Sequence, residues 1–127
     1  KRIPYLEVLI HLQNADGIFI LGSTEPHYTP SKVYQAVLVT PPVFAVLHKD
    51  STAVAVIRKS LTGLVLDFDG EEGIQKISDE FCGIASQFIE WSHKFKAQDI
   101  NIAEFEKFTA NNMTGELVKC LEKIIDK

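Results

Sequence analysis

The chain has 127 residues, of which 46% are hydrophobic, and a formal net charge of −4 at pH 7. This length suits one domain with a sizeable buried core. The net negative charge argues against a general nucleic-acid or membrane-surface binder, because such proteins are typically basic. We see no signal peptide and no apolar run as long as a membrane span, so we expect a cytoplasmic protein.

The two cysteines, Cys82 and Cys120, lie in helical patterns and lack the spacing of metal ligands. We therefore expect two buried free thiols rather than a disulfide, and we predict neither a metal site nor a cofactor. The first residue is Lys1 rather than Met. On this basis we expect the sequence to be an excised piece of a longer protein.

The first part of the chain predicts a helix, a strand and a second helix. Apolar residues at helical spacing indicate a short amphipathic helix over residues 5–14. Residues 17–21 form a short apolar run that is typical of a strand buried on both faces of a parallel sheet. After a polar loop, Thr29 is the expected N-cap of a helix, with Pro30 in its first turn.

The middle of the chain repeats this alternation of strand and helix. Residues 43–47 predict a second strand, and Asp50 or Ser51 can cap a helix that runs to about Ser60. Residues 64–68 predict a third strand, again a short apolar run. Strands that alternate with helices over short connections predict a parallel sheet with right-handed crossovers.

From residue 70 onward the pattern is helical. Apolar side chains recur at spacings of three and four and predict one long apolar seam, made of Ile74, Ile77, Phe81, Ile84, Phe88, Trp91 and Phe95. A polar linker, a short helix over residues 103–109 and a final helix complete the chain. We accordingly divide the domain into a sheet-forming unit at 1–69 and C-terminal helices of the same domain at 70–127.

The turn between the first strand and the second helix is the best candidate for a binding site. Gly22 and Ser23 are small enough for a ligand to approach the backbone, and the N-terminus of the following helix presents unpaired amides to an anion. Lys32 adds a positive charge in the first turn, which favours a phosphate. The alternative is that residues 29–32 are simply a well-capped helix start.

These residues also carry a resemblance to a known family. The stretch ADGIFILGS…YTPSKVYQAV…PPVFAVL resembles the donor-binding half of retaining, sugar-nucleotide glycosyltransferases of the GT-B type, whose pattern is an apolar strand ending in GS, a polar loop, PSK-aromatic-E and G-x-P-V. The resemblance extends to the closing FTANNMTGELVKCLEKII. It implies an α/β, three-layer, Rossmann-like fold. The chain would carry a partial parallel sheet of about three strands, helices on both faces and a helical C-terminal extension.

The resemblance also implies a set of donor-binding residues. Gly22 and Ser23 match the family's GS element, and Ser31, Lys32 and Val33 match positions that contact the phosphates. No catalytic residue is assigned within the chain.

The family's E-x7-E motif has one glutamate near the transferred sugar and a second on the nucleotide ribose. The two positions fall on His27 and Gln35 in this sequence, so both depart from the pattern. Gln35 can still hydrogen-bond ribose hydroxyls, His27 can bond a sugar hydroxyl or phosphate, and Glu25 is a possible substitute for the lost carboxylate.

The function that the resemblance implies is the C-terminal donor-binding portion of a glycosyltransferase, with residues 1–69 as the partial nucleotide-sugar-binding unit. The sugar would pass from a nucleotide-sugar to an acceptor on a missing N-terminal domain, through which the enzyme could also associate with a membrane. The portion alone is expected to be inactive. The alternative, favoured by His27 and Gln35, is a noncatalytic Rossmann-like interaction or oligomerisation domain with a degenerate nucleotide pocket. Because strand 17–21 lacks a partner on one side, we expect a homo-oligomer.

Overall fold

The structure is a computed structural model that describes residues 2–125. It confirms the α/β, Rossmann-like class: a three-stranded parallel sheet with helices on both faces and a helical C-terminal extension. The elements in chain order are α1 (Tyr5–Gln13), β1 (Ile18–Leu21), α2 (Lys32–Val39), β2 (Val43–His48), α3 (Thr52–Ser60), β3 (Gly63–Phe68), α4 (Gly70–Ser92), a 3-10 turn (Ala97–Asp99), α5 (Ile102–Glu106) and α6 (Ala110–Ile125).

The sheet has the strand order β1-β2-β3, so β2 is central and both outer strands are edges. Val43 at the start of β2 aligns with Ile18 of β1 and with Gly63 of β3, in parallel register on both sides. Every residue of β2 is buried. Because the strands are parallel, the loops that follow them lie together at the carboxyl edge of the sheet, where ligands of such sheets bind.

Two apolar layers sandwich the sheet. One packs α2, α3 and α5 against the face that carries Ala45 and Leu47, and the other packs α4 against the face that carries Phe44 and Val46. The alternation of these residues along β2 explains why one strand supplies both layers, since successive side chains of a strand point to opposite faces. The rest of the fold is built around this central strand.

The prediction that the first strand is buried on both faces is wrong. Ile18 and Ile20 are buried, whereas Phe19 and Leu21 are 54% and 67% exposed. A single helix, α4, covers this face, and a helix about 10 Å wide spans only about two strands spaced about 4.8 Å apart. Phe19 packs edge-on against Phe81 of α4, with ring centroids 6.4 Å apart, and stays more than half exposed.

The close approach of β3 to β2 requires a glycine at the start of β3. A Cβ on Gly63 would overlap the carbonyl oxygen of Val43 and lie 2.7 Å from its carbonyl carbon. Both obstacles are backbone atoms of the central strand, which cannot move without disturbing the sheet. The observed start at residue 63, one residue before the predicted strand, therefore depends on the absence of a side chain.

The predicted N-cap at Thr29 is also wrong. Helix α2 begins at Lys32, with Ser31 in the N-cap position. The Thr29 hydroxyl lies 2.7 Å from the hydroxyl of Thr52 at the start of α3, so it bonds to a distant residue rather than to its own helix. The predicted cap of α3 is confirmed in position at Ser51, but its hydroxyl makes no capping hydrogen bond.

The long helix predicted after residue 70 is confirmed as α4, a helix of 23 residues. The short helix expected at 103–109 is confirmed with a different end, since α5 ends at Glu106. The prediction of buried thiols is wrong: Cys82 and Cys120 are free and exposed, because α4 packs on the sheet along one side only and α6 has no buried residue. In the described part of the chain, no helix has both the length and the hydrophobicity to cross a membrane.

Candidate functional site

The loop that follows β1 lies over the carboxyl edge of the sheet and is fixed at both ends. At its start, the amide of Gly22 donates to the carbonyl of Val46 at 2.8 Å. At its end, the hydroxyl of Ser51 donates to the carbonyl of Tyr28, also at 2.8 Å. These hydrogen bonds hold the loop against β2 itself and against Ser51, which follows it. The loop thus forms a fixed wall of the site that sequence analysis predicted.

Two cavities flank this loop. The first, which we call the edge pocket, has a volume of about 430 Å³ and lies along the unpaired edge of β1. Its walls include Leu12, Leu21, Tyr28, Pro30, Ser31 and Lys32. The second, which we call the rim pocket, has a volume of about 510 Å³ and lies between the start of the loop and α4. Its walls include Gly22, Ser23, Thr24, Phe68, Phe81 and Cys82.

The predicted site residues are therefore divided between two cavities. Ser31 and Lys32 line the edge pocket, whereas Gly22 and Ser23 line the rim pocket. The structure brings the members of each pair together but does not bring the two pairs into one cavity.

The residues at the start of the loop have local structural partners. A Cβ on Gly22 would lie 2.9 Å from Cδ2 of Leu47, so its small size has a packing reason. The hydroxyl of Ser23 accepts a hydrogen bond from the amide of Glu25 at 3.2 Å. Both contacts stabilise the turn at the start of the loop. The walls of the rim pocket are mainly apolar.

The start of α2 presents donors to the edge pocket. Among residues 2–125, we find no acceptor for the amide groups of Ser31 and Lys32, whereas the Val33 amide donates to the carbonyl of Pro30 at 3.0 Å. Val33 itself is fully buried in the core. The Lys32 side chain is exposed and forms no ion pair within the described part of the chain. Two amides and one ammonium group are thus available to an anion.

The three remaining predicted residues lie outside both pockets. Glu25 and His27 are exposed at the tip of the loop, where the carbonyl of Glu25 accepts from the amide of Tyr28 at 3.1 Å. Gln35 is half-buried within α2. None of the three lines the edge pocket or the rim pocket.

A polar cluster lies at the ends of β2 and β3, at the same edge of the sheet. His48 is only 3% exposed, and its Nδ1 and Nε2 lie 3.2 Å from the amide of Asp50 and 3.4 Å from the amide of Gly70. A neutral imidazole has one acceptor nitrogen, so at most one of these contacts is a full hydrogen bond. The position of His48 at the end of a buried strand is the signal that could have indicated its burial.

Two ion pairs lie beside this histidine at the end of β3, and they involve Asp67 and Asp69. Lys49 Nζ lies 2.6 Å from Asp69 Oδ2, and this hydrogen bond raises the pKa of Lys49 and lowers the pKa of Asp69. Asp67 pairs with Arg58. Asp69 occupies the N-cap position but makes no side-chain capping bond, because its carboxylate is directed to the lysine.

Comparison with family models, curated proteins and solved structures finds no match to this chain. Functional inference therefore rests on the geometry. Within residues 2–125 there is no group of three or more His, Cys, Asp or Glu side chains that could hold a metal ion. The chemistry that the arrangement offers is anion binding at the start of α2, beside a free strand edge at the carboxyl end of a parallel sheet.

Proposed function

We propose that this chain binds a nucleotide-sugar donor in the edge pocket, as the C-terminal donor-binding portion of a glycosyltransferase. The observation that carries the proposal is the position of Lys32. Its side chain and the free amides of the first turn of α2 line a pocket along the unpaired edge of β1. A diphosphate needs this combination of a cation with helix N-terminal donors.

The place of the pocket in the sheet supports the proposal. Open parallel sheets bind ligands beyond the carboxyl ends of their strands, at the point where the strand order reverses. Here β1, β2 and β3 follow one another in simple order, so a reversal can occur only beyond an edge. If a further strand paired with β1 in a longer protein, the start of α2 at Lys32 would lie beside the reversal.

The chemistry of sugar transfer from a nucleotide suits such a site. The leaving group is a nucleoside diphosphate, and negative charge develops on it as the bond to the sugar breaks. Lys32 and the amides of Ser31 and Lys32 would stabilise that charge, a kind of contribution that is often the largest in catalysis. No acid, base or nucleophile from this chain is needed for this role, and the acceptor and its activating groups would belong to the missing domain.

A binding experiment tests the proposal. We expect UDP-, GDP- or ADP-sugars to raise the unfolding temperature of the chain, since a ligand at 100 times its Kd stabilises by about 2.7 kcal/mol. Lys32→Ala should abolish the shift. Lys123→Ala, which removes an exposed lysine of α6, is the matched control and should retain it.

Inorganic pyrophosphate separates nucleotide recognition from simple anion binding. The proposal is contradicted if no nucleotide sugar stabilises the protein, or if pyrophosphate stabilises it equally well at equal concentration. It is also contradicted if Lys32→Ala and Lys123→Ala respond alike, since the ligand would then bind elsewhere.

A noncatalytic interaction domain is the second candidate, and α6 is the observation that favours it. Five apolar side chains of this helix are at least half exposed: Met113, Leu117, Leu121, Ile124 and Ile125. A helix with an uncovered apolar stripe is typical of a surface that binds a partner. Self-association in light scattering, together with no response to any nucleotide sugar, would favour this candidate, and the predicted homo-oligomer would then be its functional form.

A further inference from the structure

The opposite end of the sheet holds a third cavity. It has a volume of about 410 Å³ and lies where β3 begins and where α3 and α4 end. We call it the amino-end pocket and define it by Arg58, Leu61, Leu64, Trp91, Lys94 and Phe95, with Asp99 at its margin. Because α4 runs back along the sheet, this pocket and the edge pocket lie at opposite ends of the strands. Its volume is within the range of about 300–1,000 Å³ that small-molecule sites have.

Aromatic rings form one wall of the amino-end pocket. Trp91 and Phe95 are half-buried, with ring centroids 4.9 Å apart and planes inclined by 48°. Trp91 lies in the last turn of α4, and Phe95 lies in the turn that follows it. Partly exposed aromatic rings in a concave site offer a surface on which a planar apolar group can pack.

Leu61 supports a binding role because its position is unfavourable without a ligand. It terminates α3 in the left-handed conformation, with φ of 59°, and its side chain is 57% exposed. Glycine or asparagine is the usual residue there, since a side chain adds strain. An exposed leucine in this conformation gains little within the chain. Packing against a ligand in the pocket would recover the free energy of burying its apolar surface.

The charges on the walls favour an anion. Lys94 is exposed and forms no ion pair among residues 2–125, and Arg58 pairs with Asp67 through only one of its nitrogens. A guanidinium group has five N–H donors, so Arg58 can bind a second acceptor. Asp99 is the one carboxylate among the lining residues. The carboxylate of Asp67, which lies outside the lining, is already paired with Arg58, so Lys94 is the cation available to an anion.

We infer that the amino-end pocket binds a small aromatic carboxylate or a similar aromatic anion. The ring would pack against Trp91, Phe95 and Leu61, and the anionic group would bind the ammonium group of Lys94. Arg58 would provide a second donor. This site is separate from the proposed donor site and uses none of its residues.

The backbone around the pocket is already held in place. The amide of Lys94 donates to the carbonyl of Trp91 at 2.9 Å, and the amide of Asn101 donates to the carbonyl of Ser60 at 2.8 Å. The first bond fixes the turn after α4, and the second ties the linker to the end of α3. Binding therefore needs little ordering of the chain, which is a main cost of association.

The test uses phenylacetate and its neutral isostere phenylacetamide as probes. Trp91 is the only tryptophan of the chain, so its indole N–H gives a single reporter in proton–nitrogen NMR spectra. We expect phenylacetate to shift this resonance in a saturable way. Phenylacetamide should bind about two- to fivefold more weakly, the effect expected of one solvent-accessible ion pair.

Two lysine variants locate the anionic group. Lys94→Gln should weaken phenylacetate binding by the same factor of about two to five and leave phenylacetamide unaffected. Lys76→Gln, which removes an exposed lysine within α4, is the matched control and should not change either affinity. Lys32→Ala should also leave phenylacetate binding unchanged, because Lys32 lies at the other end of the sheet.

Three outcomes would overturn the inference. The first is an indole resonance that does not move up to about 10 mM phenylacetate, a concentration that would detect even millimolar affinity. The second is equal affinity for acid and amide, and the third is equal behaviour of Lys94→Gln and Lys76→Gln. The two proposals are independent, because failure of nucleotide-sugar binding in the edge pocket would not change the result expected for phenylacetate.

Discussion

A double-mutant cycle on Gly22 and Leu47 tests whether the small residue after β1 is required for packing. The Cβ of an alanine at position 22 would lie 2.9 Å from Cδ2 of Leu47 and 3.2 Å from the carbonyl oxygen of Val46. The nearest obstacle is therefore a side-chain atom that Leu47→Ala removes. We expect Gly22→Ala to be less destabilising in the Leu47→Ala background than in the original chain.

The magnitudes follow from the burial of Leu47, which is fully enclosed. Leu47→Ala removes three carbon atoms, worth about 2.4 kcal/mol in transfer free energy at about 0.8 kcal/mol per methylene. The cavity left behind raises the expected cost to about 2–5 kcal/mol. Gly22→Ala alone overpacks the site at a cost of about 1–3 kcal/mol. In the double mutant the methyl group added at position 22 enters the cavity left by Leu47→Ala, so the coupling free energy between the two substitutions should be at least about 1 kcal/mol.

Equilibrium unfolding in urea provides the four free energies of the cycle. The slope of the unfolding free energy against urea concentration should be the same in all four proteins. An unchanged slope indicates that the substitutions alter stability alone. Leu38→Ala provides the matched control because Leu38 is 60% exposed on α2. It should alter stability by less than about 0.5 kcal/mol and add independently to Gly22→Ala.

Additivity of Gly22→Ala and Leu47→Ala within about 0.5 kcal/mol would refute this reasoning. The small size of Gly22 would then have no explanation in the packing of Leu47. Close approach of a ligand to the backbone, as sequence analysis predicted, would become the better explanation. The experiment thus bears on the binding role of this residue as well as on stability.

Two further predictions concern the sheet and its charged rim. Gly63→Ala should destabilise the chain by at least about 3 kcal/mol, because the new methyl group would clash with the Val43 backbone. Gly83→Ala on α4 should instead stabilise the chain by about 0.5–1 kcal/mol, because a Cβ at that position would meet no other atom. Urea unfolding of both variants checks this, and equal effects would contradict it. The pKa of Asp69 is lowered by Lys49, so the stabilisation from this pair is present at neutral pH and is lost as the pH falls below about 4. Asp69→Asn should make the acid-induced loss of stability smaller, and an unchanged loss between pH 7 and about pH 2 would show that the pair contributes nothing.

Periodicity in the sequence determined the order and type of the main elements. The apolar runs, the helical spacing after residue 70 and the short connections predicted a parallel sheet of three strands, which the structure confirms. These features depend on residues close together in the chain, since the spacing of apolar residues within one helix or strand indicates which of its faces is buried. The central strand was predicted within one residue of its observed end at His48.

The site depended on contacts that local spacing does not contain. Ser51 bonds to Tyr28 across 23 residues of sequence, and Lys49 pairs with Asp69 across 20. The first contact takes the Ser51 hydroxyl that the local sequence predicted as a helix cap. The division of Gly22 and Lys32 between two pockets is also absent from local spacing, which places both residues in one turn.

Burial was likewise decided by tertiary structure. The pattern of β1 is that of a strand covered on both faces, yet Phe19 and Leu21 are more than half exposed because α4, the one helix on that face, is wide enough to cover only about two strands. Cys82 and Cys120 lie in apolar helical patterns and are nevertheless exposed. A sequence shows which residues favour the core, but only the arrangement of neighbouring elements determines whether enough surface is present to cover them.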